Sequence, residues 1–214
     1  MRRSEKSTPV SNQRHRAGAA ALLAVGAAYL AVEDRIMIGP PWLALAVVAA
    51  LLVPSGLARL RGHHDLARRV MLTATTIVTF TILGSAAILV RALPGGGTPA
   101  PVLLRDAALI WAANVAVFAV WYWEIDAGGL RRRHLEGYCG LDFVFPQCAA
   151  GAAASDEWTP RFVDYLFLSF NTSTALSPTD TLVLSARAKI LMMVQSLISL
   201  AVLAVLAARA INTL

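Results

Sequence analysis

Long apolar stretches separated by short basic clusters constrain this chain more than any other feature of its sequence. Five stretches approach the roughly 17 to 25 residues that a helix needs to cross a bilayer. They cover residues 17–32, 42–58, 70–92, 104–125 and 187–211. Charged residues make up only 15% of the chain, against about 25% in soluble domains. The sequence therefore predicts an all-α integral membrane bundle of about five transmembrane helices.

The polar segments between these stretches divide the chain into four parts. Residues 1–16 form a basic tail, residues 17–125 hold four transmembrane helices, and residues 126–158 form a loop of polar and small residues. Residues 159–214 hold a shorter helix, a turn and the last transmembrane helix. The tail and the first stretch resemble a signal peptide, but an acidic pair follows directly and no good cleavage site is present. We therefore predict an uncleaved first span.

Lys and Arg residues are distributed unevenly between the two sides that five crossings create. Fifteen of the 19 lie on the side of the N-terminal tail, the second loop and the long loop. The positive-inside rule then predicts a multi-pass protein of the cell membrane with a cytoplasmic N-terminus. We therefore attribute the net charge of +6 to basic residues that orient the protein in the lipid bilayer. Nucleic-acid binding is not predicted, because no recognised motif is present.

No metal site, cofactor or enzymatic activity is predicted. Cys139 and Cys148 lack metal-site spacing, and a cytoplasmic loop disfavours a disulfide between them. The other reactive candidates are His63, His64, Asp65, His134 and Glu136. None lies in an HExxH or GxSxG context, so a solvated loop is the preferred interpretation of the histidine pair.

Polar and aromatic residues within the apolar stretches predict contacts at helix surfaces. Trp121, Tyr122 and Trp123 close the fourth stretch, which is typical of an aromatic belt at the membrane interface. The third stretch is rich in Thr, and hydroxyls inside a span usually bond to their own helix backbone. Helix packing is the preferred interpretation of these residues, with a polar permeation face as the alternative. Asn114 predicts an interhelical hydrogen bond, with a pore-lining position as the alternative.

Residues 162–184 are long enough for another span, but their polar residues argue against one. An Asp at a helix centre costs about 2.5–3.5 kcal/mol, and Pro178 ends a helix before it. Thr159 and Pro160 are suited to begin a short helix. Fifteen helical residues cover only about 22 Å of a hydrocarbon core of about 30 Å. We expect a re-entrant helix and a turn at 175–180 that is sheltered by protein or water.

Residues 169–180, Ser-Phe-Asn-Thr-Ser-Thr-Ala-Leu-Ser-Pro-Thr-Asp, resemble the pore loop of two-transmembrane-type potassium channels. The pore loops of those channels have the sequence pattern S-F-x-T-x-T, followed by T-V-G-Y-G and then by D. The matching residues are Ser169, Phe170, Thr172, Thr174 and Asp180. The resemblance implies an outer helix at 104–125, an inner helix at 187–211 and a homo-tetramer around a path for monovalent cations. The chain also resembles bacterial multi-span membrane proteins with a Thr-Ala-x-Ser-Pro-Thr-Asp signature here.

The filter glycines of the potassium channels are absent from this chain. Ser177 and Thr179 occupy the glycine positions, and Pro178 occupies the tyrosine position. Pro has a fixed φ and no N–H, and a β-branched Thr is poor at positive φ, so we expect no potassium filter. The hydroxyls of Thr172, Thr174, Ser177 and Thr179 either line a wider path or cap the short helix and close it.

Three further polar residues, at the turn and on the last helix, each have more than one interpretation. Asp180 is predicted to place a charge at a pore mouth, or to cap the last helix or pair with Arg187. Gln195 and Ser199, four residues apart on the last helix, either face a vestibule or hydrogen-bond to a neighbouring helix. Both alternatives stay open at the level of sequence.

Two functions follow from these patterns: a channel-like pore-loop protein, or a non-conducting membrane scaffold or partner-binding protein with a pore-like fold. The charge distribution puts the pore-like loop on the cytoplasmic side, whereas potassium channels place theirs outside. Either the loop is inverted, or one span is miscounted, or the resemblance is only architectural.

Overall fold

The structure, a computed structural model, describes residues 9–32, 40–92, 99–126, 142–149, 158–177 and 180–212. These residues form an all-α bundle with a single two-stranded sheet at its edge. In chain order the elements are α1 (Pro9–Tyr29), α2 (Pro41–Leu60), α3 (His64–Arg91), α4 (Ala100–Ile125), β1 (Phe143–Val144), α5 (Pro146–Ala149), α6 (Phe162–Thr174), β2 (Leu182–Val183) and α7 (Ala186–Asn212).

Helices occupy the positions of all five apolar stretches. Three of them, α3, α4 and α7, are long and apolar enough to cross a membrane. The other two, α1 and α2, carry shorter apolar stretches, Gly18–Tyr29 and Leu45–Ala58. The helical bundle and its capacity to span a membrane are therefore confirmed, and the count of five crossings stays a prediction.

Helix α4 lies at the centre of the bundle and packs against α1, α3, α6 and α7. From Ala113 to its end at Ile125 it is buried, with only Ala116 and Trp121 partly accessible. A helix that is apolar all round has no face that must meet water, so neighbouring helices can cover it on every side. The second half of α4 is therefore the surface on which the other helices are assembled.

Small and hydroxyl-bearing residues make two kinds of local contact in the first three helices. Gly26 lets α1 approach α2 closely, since a Cβ placed there would lie 3.0 Å from Leu45 Cδ1 and 3.1 Å from Leu45 Cα. Such contacts are typical of membrane helices, where small residues allow backbones to pack. The Thr hydroxyls of α3 donate to carbonyls four residues earlier, as predicted; they are Thr73, Thr75, Thr76, Thr79 and Thr81.

The starts of α3, α6 and α7 all lie beside the carboxyl end of α4. The Arg68 guanidinium donates to the Glu124 carbonyl at 3.0 and 3.2 Å. The Arg187 guanidinium donates to the Ile125 carbonyl at 3.2 Å. The Tyr165 hydroxyl donates to the Asp126 carboxylate at 2.5 Å. These three helices therefore run antiparallel to α4.

Two predicted helix starts are wrong. Helix α6 begins at Phe162, because the Asp164 carboxylate accepts the Arg161 N–H at 2.6 Å and so caps a later start than Thr159 and Pro160 would give. Helix α3 begins at His64, so His64 and Asp65 lie in its first turn and not in a loop.

The predicted aromatic belt is also wrong for two of its three residues. Tyr122 is inaccessible and Trp123 is 1% exposed. The rings of Phe162 and Tyr165 pack edge-on against Trp123, with centroids at 6.0 and 5.4 Å. Helix α6 covers this face of α4, so these aromatic side chains belong to the core.

Candidate functional site: a half-length helix and its return

Helix α6 reaches only part of the way along α4. Its 13 residues are about 20 Å long. It starts beside Asp126, and further along the Ser169 hydroxyl donates to the Val115 carbonyl at 2.7 Å. The Phe170 ring lies edge-on to Trp111, with centroids 5.7 Å apart. The chain then returns, since α7 begins again at the carboxyl end of α4.

The end of α6 is exposed and is followed by strained backbone. Ala175 closes the helix by donating its N–H to the Asn171 carbonyl at 2.8 Å. Leu176 then has a φ of 54°, a left-handed conformation that costs about 1–2 kcal/mol for a residue with a Cβ. Residues 174–177 are all exposed. Residues 162–184 are therefore not one continuous helix.

The returning chain is held by the loop that follows α4. Strand β2 pairs with β1 in antiparallel register, with Phe143 opposite Val183 and Val144 opposite Leu182. The Leu184 N–H also donates to the Asp142 carbonyl at 2.9 Å. Residues 142–144 are thus a structural part of the return.

Two buried carboxylates fix this arrangement. Asp142 accepts from the Arg187 guanidinium at 2.5 and 2.6 Å and from the Ser185 hydroxyl at 2.5 Å. Asp126 accepts from the Tyr165 hydroxyl and, at 3.3 Å, from the Asp142 N–H. Buried charges persist when they are paired and hydrogen-bonded in this way. We call this set of five residues the carboxylate clasp: Asp126, Asp142, Tyr165, Ser185 and Arg187.

The clasp decides one of the alternatives left open for Asp180. Arg187 pairs with Asp142, a residue that sequence reasoning did not single out. Asp180 is exposed on the return. It follows Thr174 and Ser177 in the sequence, and both of those residues are exposed as well. Its predicted role at a pore mouth stays a prediction.

A second polar cluster lies deeper, between α4, α6 and α7. The Tyr122 hydroxyl donates to Gln195 Oε1, and Gln195 Nε2 lies 2.8 Å from the Ser169 carbonyl and 2.6 Å from Ser173 Oγ. Asn114 Nδ2 donates to Ser199 Oγ at 2.9 Å, which confirms the interhelical bond predicted for Asn114. We call this set the inner polar network: Asn114, Tyr122, Ser169, Ser173, Gln195 and Ser199.

The predicted ion-path residues therefore fall into different places. Thr172 is buried and donates to the Leu168 carbonyl at 2.8 Å. Thr174 is exposed and donates to the Phe170 carbonyl at 2.7 Å, and Ser177 is exposed beyond it. Pro178 and Thr179 lie outside the described residues. Gln195 and Ser199 lie at the interface of three helices of one chain.

The chemistry that this arrangement offers is that of polar groups. Within the described residues no group of three or more His, Cys, Asp or Glu side chains is placed to hold a metal ion. Cys148 lies in α5, and Cys139 lies outside the described residues. What the site presents is a helix carboxyl end, hydroxyl groups and one exposed carboxylate.

Comparison of the chain with protein-family models, with curated proteins and with solved structures found no match. Its function is therefore argued from its own residues and geometry.

Proposed function

We propose that this chain is the subunit of a channel-like pore-loop protein of the membrane, with five crossing helices and α6 as a re-entrant helix. One observation carries the proposal. Helix α6 stops part of the way along α4 at Thr174, and the exposed residues 175–177 follow it without helical structure.

Irregular backbone at membrane depth needs shelter. In hydrocarbon each unsatisfied N–H or C=O costs several kcal/mol, so such backbone occurs only where protein buries it or where it lines a wet cavity. In a single chain, residues 174–177 are uncovered. Several copies that meet around these residues would supply the shelter, and a tetramer is the arrangement implied by the resemblance to potassium channels.

The charges at this place favour cations. The carboxyl end of a helix carries about half a negative elementary charge, and that end of α6 is exposed part of the way along α4. Asp180 adds a formal negative charge on the exposed return. The hydroxyls of Thr174 and Ser177 add oxygen atoms along the same segment. We therefore propose a path for monovalent cations that lacks potassium-filter chemistry.

The test is cation flux into vesicles that contain the purified protein. Potassium and sodium entry should both exceed that of empty vesicles, and Asp180→Asn should lower the flux several-fold. Asp65→Asn is the matched control, since Asp65 is an exposed carboxylate in the first turn of α3. Folded oligomers that pass no ions, or equal flux in both variants, would rule the proposal out.

A second candidate is a non-conducting scaffold or partner-binding protein. It is favoured by the inner polar network, in which the groups predicted to face a vestibule already have partners within one chain. Labelling at Ser177→Cys, with Cys139 and Cys148 replaced by Ser, separates the two candidates. A water-soluble thiol reagent should reach this position in a pore and should not reach it in a sealed scaffold.

A further inference from the structure

A concave surface lies beside the return, between the end of α6 and one face of α7. Its volume is about 550 Å³, within the range of about 300–1,000 Å³ that small-molecule sites occupy. Leu176 and Lys189 form part of its rim, and Met193, Leu197 and Leu200 lie along its length. We call it the α7 groove.

The polarity of the α7 groove changes along the helix. Lys189, Met193, Leu197 and Leu200 are spaced by four, four and three residues, so they share one face over about 16 Å. Met193 is 58% and Leu197 66% exposed. Lys189 is exposed, and no carboxylate in the described part of the chain pairs with it. The Lys189 ammonium therefore lies at one end of an exposed apolar surface of α7.

The cation lies at the more basic end of the bundle. Lys189 is in the first turn of α7, beside the carboxyl end of α4. The first turns of α3, which carry Arg68 and Arg69, lie at the same end of the bundle. The positive-inside rule assigns such an end to the cytoplasmic leaflet, whose anionic lipids attract Lys and Arg near the surface.

We propose that the α7 groove binds one anionic phospholipid. Its phosphate would lie against the Lys189 ammonium, and one acyl chain would cover Met193, Leu197 and Leu200. A second copy of this chain is the competing occupant. Copies in one membrane share their orientation, so a neighbour at Lys189 would present an equally basic surface, whereas an anionic lipid is complementary in charge. The copies proposed to meet around residues 174–177 would do so deeper along α4, away from this basic level.

The experiment is native mass spectrometry of the purified full chain with added phosphatidylglycerol or phosphatidylcholine. The wild-type protein should retain phosphatidylglycerol more tightly, and Lys189→Gln should weaken that binding about fivefold, as expected for one basic residue near the surface. Lys189→Arg should restore it. Arg69→Gln removes an exposed charge at the same end of the bundle and should change it little.

The apolar part of the groove is tested separately with Leu197→Trp, at a position exposed enough to accept the larger ring. This variant should weaken the binding of both lipids by filling the place of the acyl chain. Equal losses in Lys189→Gln and Arg69→Gln would reduce the effect to general surface charge and overturn the proposal. A dimer that persists without lipid and dissociates in Leu197→Trp would assign the groove to a second copy. None of these outcomes depends on whether the protein conducts ions.

Discussion

Asp142 and Arg187 form a pair whose two members differ sharply in burial. The Asp142 side chain is inaccessible, whereas 54% of the Arg187 side chain is exposed. Removing Arg187 leaves a buried carboxylate without its cation. Removing Asp142 leaves a guanidinium that can turn to water. The cost of a broken ion pair depends mainly on the charge that stays buried, so the two single substitutions are not equivalent.

We predict that Arg187→Gln lowers the free energy of unfolding by about 2–3 kcal/mol and Asp142→Asn by about 1 kcal/mol, after allowance for the exposure of Arg187. The double variant should be closer to Asp142→Asn than to Arg187→Gln, because no buried charge is then stranded. Denaturant titration of the purified protein measures all three. Additive losses would mean that the lost contact of Arg187 with the Ile125 carbonyl explains its effect.

Among the elements, α6 is the one whose end is most strained. Its last residues are followed by Leu176 in a left-handed conformation, and Leu176 is 46% exposed. A Gly at that position adopts the same φ without a Cβ clash. The neighbouring Ala175 has an ordinary φ of −95°.

Leu176→Gly is therefore expected to raise the free energy of unfolding by about 0.5–1 kcal/mol, since the relieved strain exceeds the small loss of apolar contact together with the added freedom of the unfolded chain. Ala175→Gly is the control and should lower it by about 0.5–1 kcal/mol, because Gly only adds freedom to the unfolded chain there. The same denaturant titration compares them. Destabilisation by both substitutions would show that Leu176 contributes packing that outweighs its strain.

The sequence predicts the long helices well because their signal is local. Runs of apolar residues identify α1, α2, α3, α4 and α7, and Pro178 with its polar neighbours indicates that α6 is short. The return is harder to foresee, because β1 and β2 pair residues about 40 positions apart. Asp126 and Asp142 look like ordinary loop residues until that pairing brings Tyr165 and Arg187 to them. The burial of Tyr122 and Trp123 has the same origin, since it depends on where α6 packs.

On the scale of the whole molecule, the ends of the bundle differ in charge. The described starts of α3, α6 and α7 bring Arg68, Arg69, Arg161 and Lys189 to one end. The opposite end has fewer basic residues, among them Arg91 and Arg105. Moving the basic end across a membrane is the less favourable choice during insertion.

We predict that the N-terminal tail is cytoplasmic and that the α3–α4 connection is on the outer side. In a background without Cys139 and Cys148, Ser4→Cys should react with an impermeant thiol reagent only after the cells are opened. Thr98→Cys should react in intact cells. The reverse pattern would invert the orientation, and reaction of both in intact cells would contradict the number of crossings between them.

The dependence of α6 on Gln195 has a consequence for how the protein is made. Ser169 and Ser173 find this partner 26 and 22 residues later in the chain. When α6 leaves the ribosome, the side-chain amide that donates to its buried Ser169 and Ser173 oxygens is not yet synthesised, and a helix of this length cannot bridge the lipid by itself. We therefore expect α6 to wait at the membrane surface and to enter only after α7 has been inserted, so that its entry is a late step of biogenesis.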